Sequence, residues 1–295
     1  MVIQKEEYIL RICTMRYVVI TPAYNEQEFI RKTLESMVNQ DLLPLEWVIV
    51  DDNSTDNTAI IIEEYARLHP WIKLVNKQDE HDRKIGAKIV RIFYYGLEHL
   101  TVDEFDFLVK LDADLELPLN YFSEVAESFR SNPKIGICSG YCIFPRNGQW
   151  VEEKVAHWHT RGAMKAYRND CFKSIEGIKE VMGWDGIDDM TAMSKGWETK
   201  QLRLAVKHFR PMGQASDPVD LRMRQGRSYY QRGYGLILTV IRMMSKFYTS
   251  GSPYEVYLLK GFIKAWKTKA PKCVDPKVEK FIRKFQYKRI LKLKY

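Results

Sequence analysis

Four short apolar runs, each followed by a polar turn and a helical pattern, constrain the fold of this chain more than any other feature of its sequence. They cover Tyr17–Ile20, Trp47–Val50, Ile72–Val75 and Phe105–Leu111. Apolar runs of this length that alternate with helical patterns are typical of strands buried in a parallel sheet. The sequence therefore predicts an α/β fold with a mostly parallel, Rossmann-like sheet and helices on both faces.

The last of these runs ends abruptly in two carboxylates, Asp112 and Asp114. Positions two residues apart point to the same side of an extended chain, and open α/β sheets bind ligands at the carboxyl ends of their strands. Two carboxylates there suit one divalent cation, or a cation together with a ribose hydroxyl. Because the same pattern also occurs in ordinary Asx turns, the pair alone leaves both interpretations open.

The net charge of +8 is unevenly distributed along the chain. From Lys260 to Tyr295 there are thirteen Lys and Arg residues against two acids, which gives +11 there and −3 for the rest. Basic segments of this kind contact anionic lipid head groups or nucleic acid. We therefore expect a mildly acidic folded domain over residues 1–215, followed by a helical, basic C-terminal extension over 216–295.

Transmembrane and secretory patterns are both missing from the sequence. No apolar run approaches the ~20 residues of a membrane-spanning helix, and the first seventeen residues carry five charged side chains in place of a signal-peptide core. We therefore expect the protein to be cytoplasmic.

Three stretches together resemble the family 2 glycosyltransferases of the GT-A fold. They are Thr21–Glu26, Val50–Thr58 and Leu111–Asp114, and the resemblance runs from about Tyr17 to Gly213. It implies a nucleotide-sugar-binding half at about 15–115 and an acceptor half at about 116–215. It also implies an inverting sugar transfer that depends on Mg²⁺ or Mn²⁺.

The resemblance assigns nucleotide binding to residues that follow the first two strands. Asp52 would accept a hydrogen bond from the base, while Pro22, Ala23, Tyr24 and Glu26 would line the base and the ribose. Core packing for Tyr24 and a solvated first-turn acid for Glu26 are competing interpretations.

The diphosphate and its cation are assigned to the acid pair. Asp114 would ligate the metal, and Asp112 would contact the ribose or also the metal. His208 is a possible third ligand, although a lone histidine in a strand is more often an ordinary hydrogen-bonded residue. Lys84 would assist at the diphosphate unless it belongs to a solvated basic face.

The resemblance assigns the catalytic base to a second acidic cluster. Asp189 would accept the proton of the attacking hydroxyl, with Asp188 as the alternative. Asp185 would serve if the flanking glycines flex. A helix predicted to begin at Met190 gives Asp188 and Asp189 a competing role as carboxylates at a helix N-terminus.

Acceptor contacts are predicted for Trp184, Asp185 and Arg161. Trp184 suits stacking on a sugar ring, and packing is an equal alternative. A single surface helix is predicted over Tyr229–Phe247. Together with the basic tail, it predicts peripheral contact of residues 229–295 with an anionic membrane, which suits a lipid-linked acceptor.

The sequence thus favours sugar transfer from a nucleotide sugar, in particular a UDP-sugar, to a hydroxyl of a glycan or lipid-linked glycan in bacterial-type surface polysaccharide biosynthesis. A transferase that acts on polyprenyl phosphate is an alternative and would need no strong base. A non-catalytic, basic nucleic-acid-binding protein is the alternative from another class. The acidic turns at the strand ends argue against it, because they would repel a phosphate backbone, and no nucleic-acid partner is expected.

Overall fold

The computed structural model describes residues 15–77, 88–210 and 217–291. Nine strands within these ranges form one sheet. The strands are β1 Tyr17–Ala23, β2 Glu46–Asp51, β3 Ile72–Asn76, β4 Phe107–Leu111, β5 Leu115–Glu116, β6 Ile135–Arg146, β7 Gln149–Glu152, β8 Met164–Arg168 and β9 Glu198–His208. The helices are α1 Ile30–Val38, α2 Thr58–Leu68, α3 Lys88–Glu98, α4 Tyr121–Ser131, α5 Asn169–Ser174, α6 Trp184–Ser194, α7 Pro218–Gln231, α8 Leu236–Ser250, α9 Val256–Lys267 and α10 Pro276–Ile290.

The amino-terminal half of the sheet is parallel and covered on both faces. β1 pairs in parallel with β2 and β4, and β2 pairs in parallel with β3. On one face, Val19 packs in a cluster with Leu34 of α1 and Ile62 of α2. On the other face, Ile20 packs with Phe93 of α3. The alternating apolar runs therefore form the doubly wound arrangement that they predict.

The second half of the sheet brings residues from late in the chain close to the acid pair. β8 is antiparallel to both β4 and β6, and β9 is parallel to β6. The short strand β5 is antiparallel to β9, so that Leu115 lies opposite His208. The order is β3-β2-β1-β4-β8-β6-β9-β5, with β7 paired to β6. A histidine late in the sequence is thereby placed next to the residues that follow β4.

The helix predicted to begin at Met190 begins earlier, at Trp184. Gly183 precedes it with a φ of 77°, a left-handed conformation that glycine adopts without strain. Asp188 and Asp189 consequently lie inside α6. The interpretation of these two acids as caps at a helix N-terminus is wrong.

The C-terminal helices share an apolar core of their own. The single helix predicted over Tyr229–Phe247 is two, α7 and α8, because Gly233 and Gly235 between them have φ values of 75° and 78°. The core of this layer also includes Met190 of α6. None of the described helices has both the length and the apolar character to cross a lipid bilayer. The predicted boundary at 215–216 lies outside the described residues and stays a prediction.

Candidate active site

The loops after β1 and β2 are fastened to each other at the carboxyl edge of the sheet. The backbone amide of Asn25 donates to Ser54 Oγ at 2.9 Å, and Thr55 N donates to Asn25 Oδ1 at 2.8 Å. Glu26 N donates to Thr58 Oγ1 at 2.7 Å. Two of the three stretches that carry the resemblance are thus held as one rigid rim.

A carboxylate, an ammonium group and an exposed aromatic ring meet on this rim. Asp52 is buried and forms an ion pair with Lys88 at the start of α3. The Lys88 ammonium lies 5.1 Å from the centre of the Tyr24 ring, which is 44% exposed. A base that stacks on Tyr24 would find Asp52 within the same pocket. Pro22 and Ala23 form the buried end of β1 beneath it, and Lys84 lies outside the described residues.

The acid pair and His208 come together at the next strand ends. One ligand atom from each of Asp112, Asp114 and His208 lies within 4.8 Å of the others. His208 Nε2 is 3.2 Å from Asp114 Oδ1. The Asp112 carboxylate also pairs with the ammonium of Lys110, which is itself buried in β4. Burial raises the pKa of Asp112, and the Lys110 charge opposes that effect.

The chemistry of this donor set fits a divalent cation. Carboxylate oxygens suit Mg²⁺ and Mn²⁺, and an imidazole ligand favours a transition metal over Mg²⁺. Asp112, Asp114 and His208 therefore form a donor set compatible with Mg²⁺ or Mn²⁺. The sequence prediction of His208 as a third ligand depends on the β5–β9 pairing, which local pattern does not reveal.

Arg210, which the sequence analysis did not single out, lies between the rim formed by the loops after β1 and β2 and the acid pair. Its guanidinium forms an ion pair with Glu26, and its Nε lies 3.8 Å from Asp114 Oδ2. Glu26 is therefore paired with a cation and is not a solvated first-turn acid. The sequence signal for Arg210 was its position two residues after His208, a candidate metal ligand.

Asp189 is enclosed by hydrogen-bond donors. Its Oδ2 lies 2.9 Å from His159 Nδ1 and accepts from Thr160 N at 3.0 Å. Its Oδ1 accepts from Thr160 Oγ1 at 2.5 Å and from Lys165 Nζ at 3.1 Å. The side chain is 0% exposed. Such a carboxylate has no free edge for an acceptor hydroxyl in this conformation.

Asp188 is buried in the same way. Its Oδ1 accepts from Lys165 Nζ at 2.8 Å and its Oδ2 from the Tyr167 hydroxyl at 2.5 Å. Burial raises the pKa of Asp188, and repulsion by Asp189 raises it further. The Lys165 charge opposes both effects. Lys165 and Tyr167 project from β8. A lysine within a buried strand was the sequence signal for this cluster, and the sequence analysis missed it.

Asp185 is the acid of this cluster that reaches solvent. Its side chain is 29% exposed, and its Oδ2 lies 3.5 Å from His159 Nε2. Burial alone would raise the pKa of Asp185, but the hydrogen bond from His159 and the Lys165 charge lower it below its ordinary value. Asp185 is thus ionised near neutral pH and open on one side.

The other two predicted acceptor residues are enclosed. Trp184 is 8% exposed, and the ammonium groups of Lys110 and Lys165 lie 5.4 and 5.7 Å from its ring centre. Arg161 is 5% exposed and pairs with Glu153 at 2.7 Å. The geometry favours packing for Trp184, because little of its ring is left for a sugar to stack on.

The start of α6 lies close to the acid pair. Asp112 N donates to the carbonyl of Ala163 at 2.7 Å. A side chain at the neighbouring Gly162 would meet Trp184 at 2.9 Å and Asp185 Cβ at 3.0 Å. Glycine at this position therefore lets Asp185 approach the cation site.

A further guanidinium, that of Arg232, lies beside the start of α6, at the entrance to Asp185. Arg232, between α7 and α8, is near enough that a Cβ at Gly183 would lie 3.2 Å from its Nη1. It lies over the rings of Tyr229 and Tyr234 at 5.1 and 5.5 Å, and it forms no ion pair with any residue that the structure describes. Arg232 therefore places a positive charge beside the start of α6.

His159 predicts a pH-dependent contribution to stability. Burial lowers the pKa of His159, but hydrogen bonds with Asp185 and Asp189 outweigh it and raise the pKa from 6.5 to about 9. The resulting stabilisation, about 3 kcal/mol, is complete below pH ~6.5 and is lost as the pH rises through ~9. We expect the free energy of urea unfolding to fall between these pH values in the wild type and to fall less in His159→Gln. An equal fall in both proteins would contradict this assignment.

A family model for "Glycosyl transferase family 2" matches residues 18–178, which is more than half of the chain. Among relatives, the poly-beta-1,6-N-acetyl-D-glucosamine synthase of Staphylococcus epidermidis is 29% identical over 117 residues, 40% of this chain and 26% of that protein. The GalNAc(5)-diNAcBac-PP-undecaprenol beta-1,3-glucosyltransferase of Campylobacter jejuni is 27% identical over 135 residues, 46% of this chain and 40% of that protein. The matched part of the chain thus spans less than half the length of either relative.

A solved structure has the same fold over nearly the whole chain. The TarS fragment 1–349 of S. aureus in complex with UDP-GlcNAc superposes with a TM-score of 0.62, covering 95% of this chain and 93% of that one. The identity of 18% limits this likeness to the fold, which confirms the predicted α/β, GT-A architecture. With the family match over its amino-terminal half, the chain belongs to glycosyl transferase family 2.

Proposed function

We propose that this protein transfers a sugar from a UDP-sugar to a hydroxyl of a glycan or lipid-linked glycan, with inversion at the anomeric carbon. The observation that carries the proposal is one continuous edge of the sheet. The loops with Asp52 and Tyr24 follow β2 and β1, on one side of the Asp112, Asp114 and His208 cluster. Asp185, at the start of α6, lies on the other side, beside Gly162 before β8. A donor pocket, a cation site and a base therefore follow in the order that a single displacement needs.

The donor would bind along the first two strands. Tyr24 presents a ring face to the base, and Asp52 accepts from its N–H group while Lys88 holds the carboxylate in place. Arg210 keeps Glu26 beside the ribose side of the pocket and adds positive charge near the diphosphate. The TarS structure that shares this fold contains UDP-GlcNAc, which supports a uridine donor.

The leaving diphosphate would be stabilised at the acid pair. A divalent cation held by Asp112, Asp114 and His208 would act as a Lewis acid on the phosphate oxygens. Lys110 pairs with the Asp112 carboxylate and orients it. The residues favour Mn²⁺, and Mg²⁺ is the alternative.

We assign the base to Asp185. It would take the proton of the attacking hydroxyl while the bond to the nucleotide breaks on the opposite face of the sugar. Asp188 and Asp189, the sequence-based choices, would instead fix Lys165 and His159, which in turn orient Asp185. This assignment is supported by exposure, because a base must touch the hydroxyl that it deprotonates.

The acceptor would carry phosphate as well as sugar. Arg232 beside the entrance supports this, since a guanidinium binds phosphate oxygens in bidentate fashion. The Campylobacter relative is named for an undecaprenol-linked acceptor, and the staphylococcal relative for synthesis of a polysaccharide. We accordingly propose that the protein transfers its sugar to a lipid-linked glycan in surface polysaccharide biosynthesis, at the cytoplasmic face of the membrane. Direct transfer to polyprenyl phosphate is the second candidate, and it predicts little dependence on Asp185.

Calorimetric titration of UDP, GDP and dTDP, with and without Mn²⁺, tests the donor pocket. We expect UDP to bind most tightly, and Asp52→Asn to weaken it by about 5- to 150-fold, because a buried donor–acceptor pair worth about 1–3 kcal/mol is lost. Asp103→Asn, at an exposed position between α3 and β4, is the matched control and should bind UDP normally. Equal binding by wild type and Asp52→Asn would remove Asp52 from the pocket.

A further inference from the structure

Helix α8 turns an apolar face toward solvent. Met244 and Tyr248 lie seven and eleven positions after Ile237. Ile237, Met244 and Tyr248 are 65%, 61% and 92% exposed. Leu236 and Phe247 flank them at 52% and 54%. Residues at these spacings share one side of a helix. A contiguous exposed apolar stripe marks an interaction site, and we refer to these five side chains as the docking face.

The opposite side of α8 is already packed. Leu238 and Thr239 are buried against the C-terminal layer, where Leu238 joins the cluster of α7, α9 and α10. The charged residues of the helix, Arg242 and Lys246, are both cations and lie off the docking face. The docking face is therefore additional to the surface that the fold itself buries.

Cationic side chains border the docking face on both sides, and an aromatic ring lies on one of them. Leu236 shares a groove with Trp266, Lys272 and Arg283. On the other flank, Arg289 and Ile290 line a groove together with Ile241. Trp266 is 61% exposed. Lys272 and Arg283 share one acid, Glu279, at 2.9 and 3.0 Å, so they leave a net positive charge on this border. Arg242 and Arg289 add positive charge on the other border.

We propose that the docking face inserts into the interfacial region of an anionic lipid bilayer. A helix of 15 residues with an apolar face and a cationic border lies in the plane of such an interface. Exposed Tyr248 and Trp266 suit the head-group level, and the surrounding cations attract anionic lipids. A second copy of the chain is a poorer occupant, because a twofold contact would bring equal positive borders together.

The docking face is connected to the proposed catalytic helix. Tyr229 and Leu238 pack in one cluster with Met190 of α6, and Ser228 Oγ donates to the carbonyl of Met182 at 2.6 Å, just before α6 begins. An enzyme docked through α8 would hold the Asp185 entrance near the bilayer. This point deepens the proposed function and rests on it, whereas lipid binding itself does not.

Vesicle flotation tests the inference on the full chain. The vesicles are phosphatidylcholine alone, or phosphatidylcholine with an equal part of phosphatidylglycerol. We expect the wild type to bind the mixed vesicles about tenfold or more tightly than the neutral ones, and to lose this preference in high salt. The triple variant Ile237→Ser, Met244→Ser, Tyr248→Ser should lose about tenfold or more of the binding. The double variant Ile60→Ser, Leu68→Ser, at 59% and 75% exposed positions of α2, is the matched control and should bind as the wild type does.

Two outcomes would overturn the inference. One is equal vesicle binding by the wild type and the triple variant. The other is a wild-type dimer in light scattering that the triple variant abolishes, without vesicle binding by either, since the occupant would then be a second copy. Manganese-dependent UDP binding by the triple variant is measured alongside. Its retention while lipid binding is lost would separate membrane docking from the donor site.

Discussion

Replacing Asp185 by Asn is expected to lower kcat by about 10²- to 10⁴-fold, the range that a general base contributes. Affinity for UDP should stay within about twofold, because the base faces the acceptor and not the nucleotide. Steady-state assays with a UDP-sugar, together with calorimetry of UDP, measure both quantities. Asp170→Asn is the matched control, since Asp170 is also an exposed acid in the first turn of a helix.

Asp189→Asn distinguishes the two acids. Removing this charge leaves the buried Lys165 and His159 with one partner fewer, which is expected to cost about 3–5 kcal/mol of unfolding free energy. Asp185→Asn should cost less than this, because its carboxylate is 29% exposed, although the variant also loses the ion pair with His159. If Asp189→Asn folds normally and is inactive while Asp185→Asn is active, Asp189 is the base after all.

Replacing Asp114 by Asn is expected to reduce kcat/KM by about 10³-fold, because the Lewis-acid contribution of a bound cation is several kcal/mol. The loss should be accompanied by weaker Mn²⁺ binding, which electron paramagnetic resonance of free Mn²⁺ measures directly. Asn keeps the shape of the side chain and removes the charge that the cation needs. His208→Asn should weaken Mn²⁺ binding less, since two carboxylates remain.

Glu116→Gln is the matched control for the cation site. Glu116 lies two residues after Asp114, but its carboxylate pairs with Lys207 at 2.5 Å. We expect this variant to keep both activity and Mn²⁺ affinity. Full activity of Asp114→Asn at wild-type Mn²⁺ levels would remove the acid pair from the mechanism, whatever the result for Asp185.

Local pattern accounts for most of the first half of the molecule. The strand ending before Asp112, predicted over Phe105–Leu111, is observed over Phe107–Leu111 and so differs only at its first residues. In a parallel sheet a buried strand is apolar on both faces, so the sequence marks it directly. The acid pair was visible because charged residues stand out where such a strand ends.

The C-terminal half was harder to predict because its pattern is ambiguous. Two helices separated by Gly233 and Gly235 share a nearly continuous apolar segment, so they resemble one helix from periodicity alone. Likewise, nothing local distinguishes a helix that begins at Trp184 from one that begins at Met190. The conformations of Gly233 and Gly235 decide the first case. The conformation of Gly183 and the burial of Asp188 and Asp189 beside Lys165 of β8 decide the second.

The sequence by itself determined the alternation of strands and helices in the amino-terminal half, the acid pair at the end of β4, the first two loops and the excess of positive charge after Lys260. These features depend on residue type and on spacing over a few positions. Only the tertiary structure decided that Asp185 is open while Asp188 and Asp189 are enclosed, and that His208 reaches Asp114. Exposure and metal geometry depend on groups far apart in the chain, here Lys165 of β8 and the pairing of β9 with β5, and no local spacing specifies them.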